Sequence, residues 1–228
     1  NLCPYCDRKM PENPSTKLQQ LLKHLEKKST FAPRPSNSYG RKASLADFSL
    51  VCQQHVLETD MLSKAILEGW PLSVDFDGLA TRVRQMKNDL KAILQDETAR
   101  NSSFLWREVL VQINEHGMES IKGFAGRYEL FHMVQPGYYG ERGLAVIMEV
   151  LYSPLPSSLI EKHLDNIAPL DPQSFFKWVL APEVALRLIT TDRNLSGASG
   201  MQEGLKVMRA SSSYGAAMFP DEYEDCDG

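Results

Sequence analysis

The sequence predicts a mainly α-helical, compact multi-helix domain that can include one small strand pair. Apolar residues recur at helical spacing along most of the 228 residues. Alternating strand patterns are scarce, and neither a βαβ rhythm nor an internal repeat is present. The 43% hydrophobic and 24% charged residues are typical of a globular protein. No apolar run reaches the roughly 20 residues that a membrane-spanning helix needs.

Capping and helix-breaking residues set the elements of the N-terminal part. Ser15 is expected to cap a first helix whose leucines share one face. Residues 31–41 contain two prolines, an asparagine and a glycine, so they predict an extended connector. Ser44 then begins a capping box for a long helix that ends near Glu68.

The rest of the chain reads as a series of helices. Asp77 is expected to cap the next one, and Pro182 predicts that the helical stretch after Asp171 is either kinked or split in two. Residues 72–76 alternate once, and the run 146–151 could in isolation form a buried strand. Further helices fit residues 103–115, 119–134, 141–152 and 202–210.

The predicted organisation is an N-terminal arm, residues 1–45, that forms one structural unit with a helical body, residues 46–220. An acidic disordered tail, residues 221–228, follows. Residues 1–50 carry a net charge of +5, whereas the last eight residues carry −5 and the whole chain −4. This balance argues against a dedicated nucleic-acid binder. Since the chain begins at Asn1 without a signal segment, we expect a piece of a longer soluble protein.

Two short motifs predict a metal site. Cys3-Pro4-Tyr5-Cys6 is a C-x2-C pair, and Cys52-Gln53-Gln54-His55 is a C-x2-H pair. Together they offer three thiolates and one imidazole, the ligand set of a closed tetrahedral structural Zn²⁺ site. Residues three apart on a helix lie on one face, so Cys52 and His55 can converge. The 45 residues between the pairs predict that the ion attaches an arm to a body.

Two alternatives bear on these cysteines. Taken singly, Cys52 would be a small buried hydrophobe and His55 a surface residue. Cys-Pro-Tyr-Cys is also the redox motif of glutaredoxins, but that motif follows a core strand, whereas only two residues precede Cys3. We therefore favour zinc, and we expect Cys226 to be an unpaired, inert thiol.

Other candidate binding residues are Arg34, Arg41, Lys42, Tyr138 and Tyr139. The first three belong to the basic arm and could contact nucleic acid together with an aromatic residue. The two tyrosines lie in a glycine-rich stretch that could be a binding loop, although a tight helix–helix corner is the favoured interpretation.

Catalytic templates are absent from the sequence. It contains no phosphate-binding glycine loop, no G-x-S-x-G elbow and no H-E-x-x-H motif. Glu183 and Arg187 are expected to form an ordinary i,i+4 helix pair. We therefore expect a protein that is not an enzyme.

Several segments resemble the C-terminal domain of the fungal restriction of telomere capping protein 4 family. The resemblance runs in order from about Cys3 to Pro220. It is carried by Cys3-Pro4-Tyr5-Cys6, Pro33-Arg34-Pro35-Ser36-Asn37, Cys52-Gln53-Gln54-His55, Gly69-Trp70-Pro71, Val74-Asp75-Phe76-Asp77, Pro136-Gly137-Tyr138-Tyr139-Gly140, Leu180-Ala181-Pro182-Glu183-Val184-Ala185 and Ser213-Tyr214-Gly215-Ala216-Ala217-Met218-Phe219-Pro220.

The resemblance implies a fungal protein of nucleus and cytoplasm that is linked to telomere capping, with no catalytic residues to transfer. The leading hypothesis is a zinc-stabilised helical module that binds a protein partner in telomere or chromatin maintenance. The alternative is a nucleic-acid-binding domain that uses the basic arm. The sequence does not predict an oligomeric state.

Overall fold

The computed structural model describes residues 1–122, 134–152 and 160–221, which are mainly helical and include one two-stranded antiparallel sheet. This confirms the predicted fold class. The chain divides into an N-terminal unit, Asn1–Leu72, and a C-terminal unit, Ser73–Gly228. The predicted boundary after residue 45 falls inside the N-terminal unit. The sequence-based expectation that the arm and the helical body form one structural unit stays a prediction.

The N-terminal unit contains three helical segments and the sheet. Its elements are α1 (Thr16–Lys28), β1 (Thr30–Phe31), β2 (Arg41–Lys42), α2 (Leu45–Val56), a π-helical turn (Leu57–Met61) and α3 (Leu62–Glu68). The two strands lie at the two ends of the predicted connector, where Thr30 and Phe31 pair with Lys42 and Arg41. The structure thus places the strand pair there, and not at residues 72–76, which form no strand.

Side-chain caps explain where these helices begin. The Ser15 hydroxyl accepts the N–H of Leu18 at 3.1 Å, and the Ser44 hydroxyl accepts that of Asp47 at 3.2 Å, as the sequence predicts. Glu58 joins the two helices, because its carboxylate accepts the backbone N–H of Ser15 at 3.0 Å and the Ser15 hydroxyl at 2.5 Å. A left-handed Gly69 ends α3.

The C-terminal unit consists of packed helices. Its described elements are α4 (Phe76–Gln85), α5 (Lys87–Gln95), α6 (Glu97–Ser102), α7 (Phe104–His116), α8 (Met118–Lys122), a 3-10 turn (Gly137–Tyr139), α9 (Gly140–Tyr152), α10 (Leu164–Ile167), α11 (Pro172–Phe175), a π-helical turn (Phe176–Leu180), α12 (Ala181–Asp192), α13 (Gly197–Ala210) and α14 (Ser212–Met218).

Two sequence-based expectations are corrected here. The cap of α4 is Asp75, whose carboxylate accepts the N–H of Gly78 at 2.9 Å, whereas Asp77 lies in the first turn. There its negative charge still suits the positive end of the helix. Residues 146–151 are part of α9 and form no strand. The predicted helix over 119–134 lies mostly outside the described residues, as do Cys226 and nearly all of the predicted tail.

Each unit has its own apolar core. In the N-terminal unit, Leu18 and Leu25 of α1 pack with Val51 of α2 and with Cys3 and Tyr5. In the C-terminal unit, α12 is almost completely buried and packs on α13, while α9 packs on α4. Among the described residues, none of the helices combines the length and the apolar character that crossing a membrane requires.

Candidate metal centre

The first ligand pair lies on a short turn at the N-terminus. The N–H of Cys3 donates to Arg8 O at 2.8 Å, and the N–H of Asp7 donates to Cys3 O at 3.1 Å. Asp7 closes the turn with φ +60°, a conformation that a short polar side chain tolerates. The turn therefore brings the two thiols of the C-x2-C pair to one side.

The second ligand pair lies in the C-terminal half of α2. Cys52 is half-buried and His55 is completely buried. Their spacing of three residues places both on the face that α2 turns toward α1 and the N-terminal turn. The helix thus presents a thiol and an imidazole to the two thiols of the turn.

The four ligand atoms converge as predicted. The three Sγ atoms of Cys3, Cys6 and Cys52 and a ring nitrogen of His55 all lie within 4.8 Å of one another. The Sγ atoms of Cys3 and Cys52 are 4.0 Å apart, close to the roughly 3.8 Å that two sulfurs show around one Zn²⁺ ion. These residues form a group that could hold a metal ion.

The distance between Cys6 and His55 is shorter than a bound ion would require. The Sγ of Cys6 and the Nε2 of His55 are 3.1 Å apart, a hydrogen-bond distance and shorter than the roughly 3.5 Å expected around a tetrahedral ion. Binding an ion therefore requires a small outward shift of one of these two groups. Cys6 is half-buried on the surface side of the cluster, so it has room to move.

The protonation of the thiols shows what an ion would replace. A hydrogen bond from Cys52 lowers the pKa of Cys3, and the same bond together with burial raises the pKa of Cys52. Cys3 is therefore the more acidic of the two thiols, and its thiolate would place a negative charge in the N-terminal core. A divalent cation would compensate this charge directly.

The surroundings of the imidazole differ from those of most zinc-bound histidines. Within the described residues, His55 Nδ1 is buried and has no hydrogen-bond partner, while Nε2 points at the thiols. A metal-bound imidazole usually donates its second N–H to an acceptor, which this site lacks. The orientation of the ring is set instead by α2 and its packing. The thiol-rich donor set nevertheless fits Zn²⁺ better than an ion that prefers oxygen.

Two of the three predicted basic-arm residues form hydrogen bonds inside the N-terminal unit. Arg34 donates to both carboxylate oxygens of Asp7 at 2.9 and 2.8 Å and to Pro4 O at 2.5 Å. Arg41 donates to the Ser29 hydroxyl at 2.8 Å and to Glu26 O at 2.9 Å. Both arginines thereby hold loops beside the cluster, and only Lys42 is exposed.

A network that sequence reasoning missed supports the C-x2-C turn. The Asn37 side chain donates to Cys3 O at 2.9 Å and to Asp7 at 2.8 Å, beside the Arg34 contacts. The hydrogen bonds from Arg34 and Asn37 lower the pKa of Asp7, and the bond to Asp7 raises the pKa of Arg34. The Pro33–Asn37 segment does not predict this network, because its partner Asp7 is about 30 residues away in sequence.

The predicted tyrosines lie in the C-terminal unit, away from the thiol cluster in sequence. Tyr138 and Tyr139 are each 1% exposed and form the tight turn before α9. Both hydroxyls donate to the Asp192 carboxylate, which also accepts Arg82 at 2.6 Å. The geometry supports the interpretation as a packed helix corner. A binding role for these tyrosines stays a prediction.

Comparison with known proteins gives one match. Neither the curated proteins nor the solved structures searched contain a match to this chain. Residues 98–220, more than half of the chain and all within the C-terminal unit, match the family model of the RTC4-like domain. The chain therefore belongs to the RTC4-like (restriction of telomere capping 4) family.

Proposed function

We propose that this chain is a non-enzymatic, zinc-stabilised helical module that binds a protein partner in telomere capping or chromatin maintenance. Its membership of the RTC4-like family relates it to telomere capping. The observation that carries the zinc part of the proposal is the convergence of Cys3, Cys6, Cys52 and His55 within 4.8 Å. We further propose that the protein acts in the nucleus and is also present in the cytoplasm.

The ligand set supports a structural ion. A tetrahedral Zn²⁺ bound by three thiolates and one imidazole has all four positions filled by protein atoms, so no position is open for a substrate. The ion would join the N-terminal turn to α2 across 45 intervening residues. Binding free energies of about 10–16 kcal/mol for structural zinc are comparable to the stability of a whole domain.

The distribution of charged residues favours a protein partner over nucleic acid. Arg34 and Arg41 have internal partners, which reduces the basic surface of the arm. The C-terminal unit holds fifteen basic and twenty-two acidic residues, a net charge of −7. A surface of this sign repels a polyanion.

One observation favours nucleic acid as a second candidate. Phe31 and Tyr39, in and next to the sheet, are 65% and 78% exposed, and Lys42 pairs with the strand that carries Phe31. Exposed aromatic rings beside cations are the elements on which single-stranded bases stack.

The proposal is tested with the chain as bait in nuclear extract, beside the variants Cys52→Ser and His55→Cys. We expect about one zinc per chain in the wild type and in His55→Cys, which still offers four ligands, and loss of zinc in Cys52→Ser. Telomere-cap proteins should be captured by the two zinc-loaded forms and much less by Cys52→Ser. Absence of zinc from the wild type, or absence of any such partner, would refute the proposal.

The nucleic-acid alternative needs a separate titration. Fluorescence polarisation with single- and double-stranded telomeric oligonucleotides, at two salt concentrations, compares the wild type with Lys42→Glu and with a Phe31→Ala, Tyr39→Ala double variant. Micromolar or tighter binding that these substitutions abolish would replace the protein-partner proposal. The double variant preserves the arginines that hold the metal loops, so a loss would not reflect local unfolding.

A further inference from the structure

The C-terminal unit contains a cleft of about 780 Å³ that the proposed function does not use. Its walls come from α5, α6, α7, α12 and α13. Most of its lining residues lie within the part of the chain that matches the RTC4-like domain. Polar groups line one wall, while Met86, Phe104 and Met201 contribute apolar surface.

A buried carboxylate organises the polar wall. The side chain of Glu183 is only 2% exposed, and it accepts hydrogen bonds from the Ser103 hydroxyl at 2.9 Å and from Arg187 Nε at 3.0 Å. The carboxylate of this ion pair is buried while the Arg187 side chain is 29% exposed, and taking such a carboxylate out of water offsets much of what the pair contributes to stability. Its presence in a cleft wall therefore indicates a role in positioning Arg187. The sequence-based interpretation as an ordinary helix pair misses this burial.

Arg187 turns a second face toward the cleft. Its Nη1 donates to Asp89 at 2.8 Å, and the Asp89 side chain is 63% exposed at the rim. In the described part of the chain, Nη2 of Arg187 has no acceptor. An exposed carboxylate of this kind is weakly held, because surface ion pairs contribute little. Asp89 therefore holds this guanidinium weakly, and the carboxylate of a ligand that makes further contacts in the cleft can displace it.

Arg107 provides a second guanidinium in the same cleft. Its Nε donates to Ser103 O at 3.4 Å, and its Cζ lies 4.7 Å from the centroid of the Phe104 ring. No carboxylate within the described ranges pairs with it. Arg107 donates to Ser103 and Arg187 donates to Glu183, the hydrogen-bond partner of Ser103, so two guanidiniums line the same cleft with N–H donors that have no acceptor among the described residues.

We propose that this cleft binds an acidic peptide segment of the protein partner, with a carboxylate on Arg107 and Arg187 and an adjacent apolar side chain against Phe104 and Met201. Planar guanidiniums bind carboxylates through paired hydrogen bonds. The net charge of −7 on this unit opposes a polyanionic nucleic acid much more than a short peptide segment that carries few carboxylates. Asp89 acts as a competitor that the incoming carboxylate displaces. This inference rests on the proposed function, since it presumes a protein partner.

The test follows the arginine side-chain N–H signals of the whole chain by NMR. The probe is a blocked hexapeptide of alternating Asp and Leu, and the control peptide has Asn in place of Asp. We expect the acidic peptide to shift the signals of Arg107 and Arg187, and the control peptide to leave them in place. No shift, an equal shift with the Asn peptide, or binding of inorganic phosphate without binding of the peptide would overturn the inference.

Variants sharpen the same test. Arg107→Gln should weaken peptide binding about tenfold or more, as expected for loss of a charge-assisted pair. Asp89→Asn should strengthen it several-fold. Arg84→Gln removes one exposed cation from α4, outside the cleft lining, and should have little effect. Equal effects of Arg107→Gln and Arg84→Gln would show that peptide binding depends only on the net charge of the protein, and this would overturn the inference.

The outcome is separable from that of the proposed function. If the wild type and Arg107→Gln capture the same telomere-cap partners equally well, the cleft is not the docking site and the proposed function stands. If the wild type captures no such partner but the acidic peptide still binds as expected, the proposed function fails while the site itself is real.

Discussion

At the scale of single residues, the four members of the thiol cluster differ in what can replace them. Cys3 and His55 are completely buried, whereas Cys6 and Cys52 are half-buried. Cys52→Ser removes a thiolate, so we expect loss of zinc and a fall of several kcal/mol in the unfolding free energy of the N-terminal unit. His55→Cys restores four ligands and should retain the ion. Elemental analysis and thermal unfolding of both variants check this; equal zinc content in both would contradict it.

Tyr138 and Tyr139 predict an alkaline limit to stability. Burial, followed by the charge of Asp192 and the hydrogen bond to it, raises the pKa of both tyrosines above its usual value. A folded-state pKa that is raised contributes stability below the unfolded-state pKa of about 10 and loses it as the pH rises. The unfolding free energy should therefore fall above about pH 10, by about 1.4 kcal/mol per pH unit for each tyrosine.

Two measurements check the tyrosine prediction. In a spectrophotometric titration of tyrosinate, at least two of the eight tyrosines should ionise only as the protein unfolds. Denaturant unfolding at several alkaline pH values should show a shallower decline for Tyr139→Phe, which removes one of the two groups. A normal titration of all tyrosines in the folded protein would contradict the prediction.

Residue-level chemistry was predictable only where partners are close in sequence. The two C-x2-C/H pairs can be recognised because each has an internal spacing that suits one ion. Asp7, Arg34 and Asn37 form their network across about 30 residues, and nothing local in the sequence pairs them. The burial of Glu183 was missed for the same reason, since its spacing to Arg187 looks the same on an exposed helix.

At the scale of elements, the sequence predicts where helices begin better than it predicts irregular turns inside them. Ser15, Ser44 and Asp171 each cap the helix expected from the sequence. Pro182 predicts a kinked or divided helix, and the structure has a π-helical turn over Phe176–Leu180 between α11 and α12. A proline cannot donate to the carbonyl four residues earlier, and the wider turn accommodates this loss.

The contact between α14 and the 3-10 turn gives a prediction at this scale. A Cβ at Gly215 would lie 2.0 Å from Gly137 O, so the backbones of the two elements could not keep their distance. Alanine normally stabilises a helix relative to glycine by about 1 kcal/mol. Here we expect Gly215→Ala to destabilise the C-terminal unit by about 3 kcal/mol, as overpacking against backbone does.

The matched control for Gly215→Ala lies in the same helix. Ser213 is exposed, so Ser213→Ala gains helix propensity without a clash and should leave the stability equal or slightly higher. Chemical denaturation of both variants measures the difference. A stabilising effect of Gly215→Ala would show that α14 and the turn separate readily, contrary to the close approach in the structure.

At the scale of the whole molecule, the two units differ in net charge and each has its own core. The N-terminal unit holds ten basic and seven acidic residues, whereas the C-terminal unit has a net charge of −7. The sequence predicts a basic first part but ends it near residue 45. The structure extends the N-terminal unit to Leu72, because α2 shares its core with α1 and carries two of the four ligands. Periodicity alone cannot show which helix face a distant helix covers.

This division predicts how far the effect of metal removal extends. The cluster joins the N-terminal turn to α2 within one core, while the helices of the C-terminal unit pack around α12. Removing the ion with a chelator breaks the link between the N-terminal turn and α2, so this core should open. Hydrogen exchange should then accelerate in α1 and α2 by two orders of magnitude or more, since each factor of ten corresponds to about 1.4 kcal/mol. Amides of α12 should exchange as before, and added zinc should restore the slow exchange. Unchanged protection of α1 and α2 would show that the N-terminal core holds together without a metal ion.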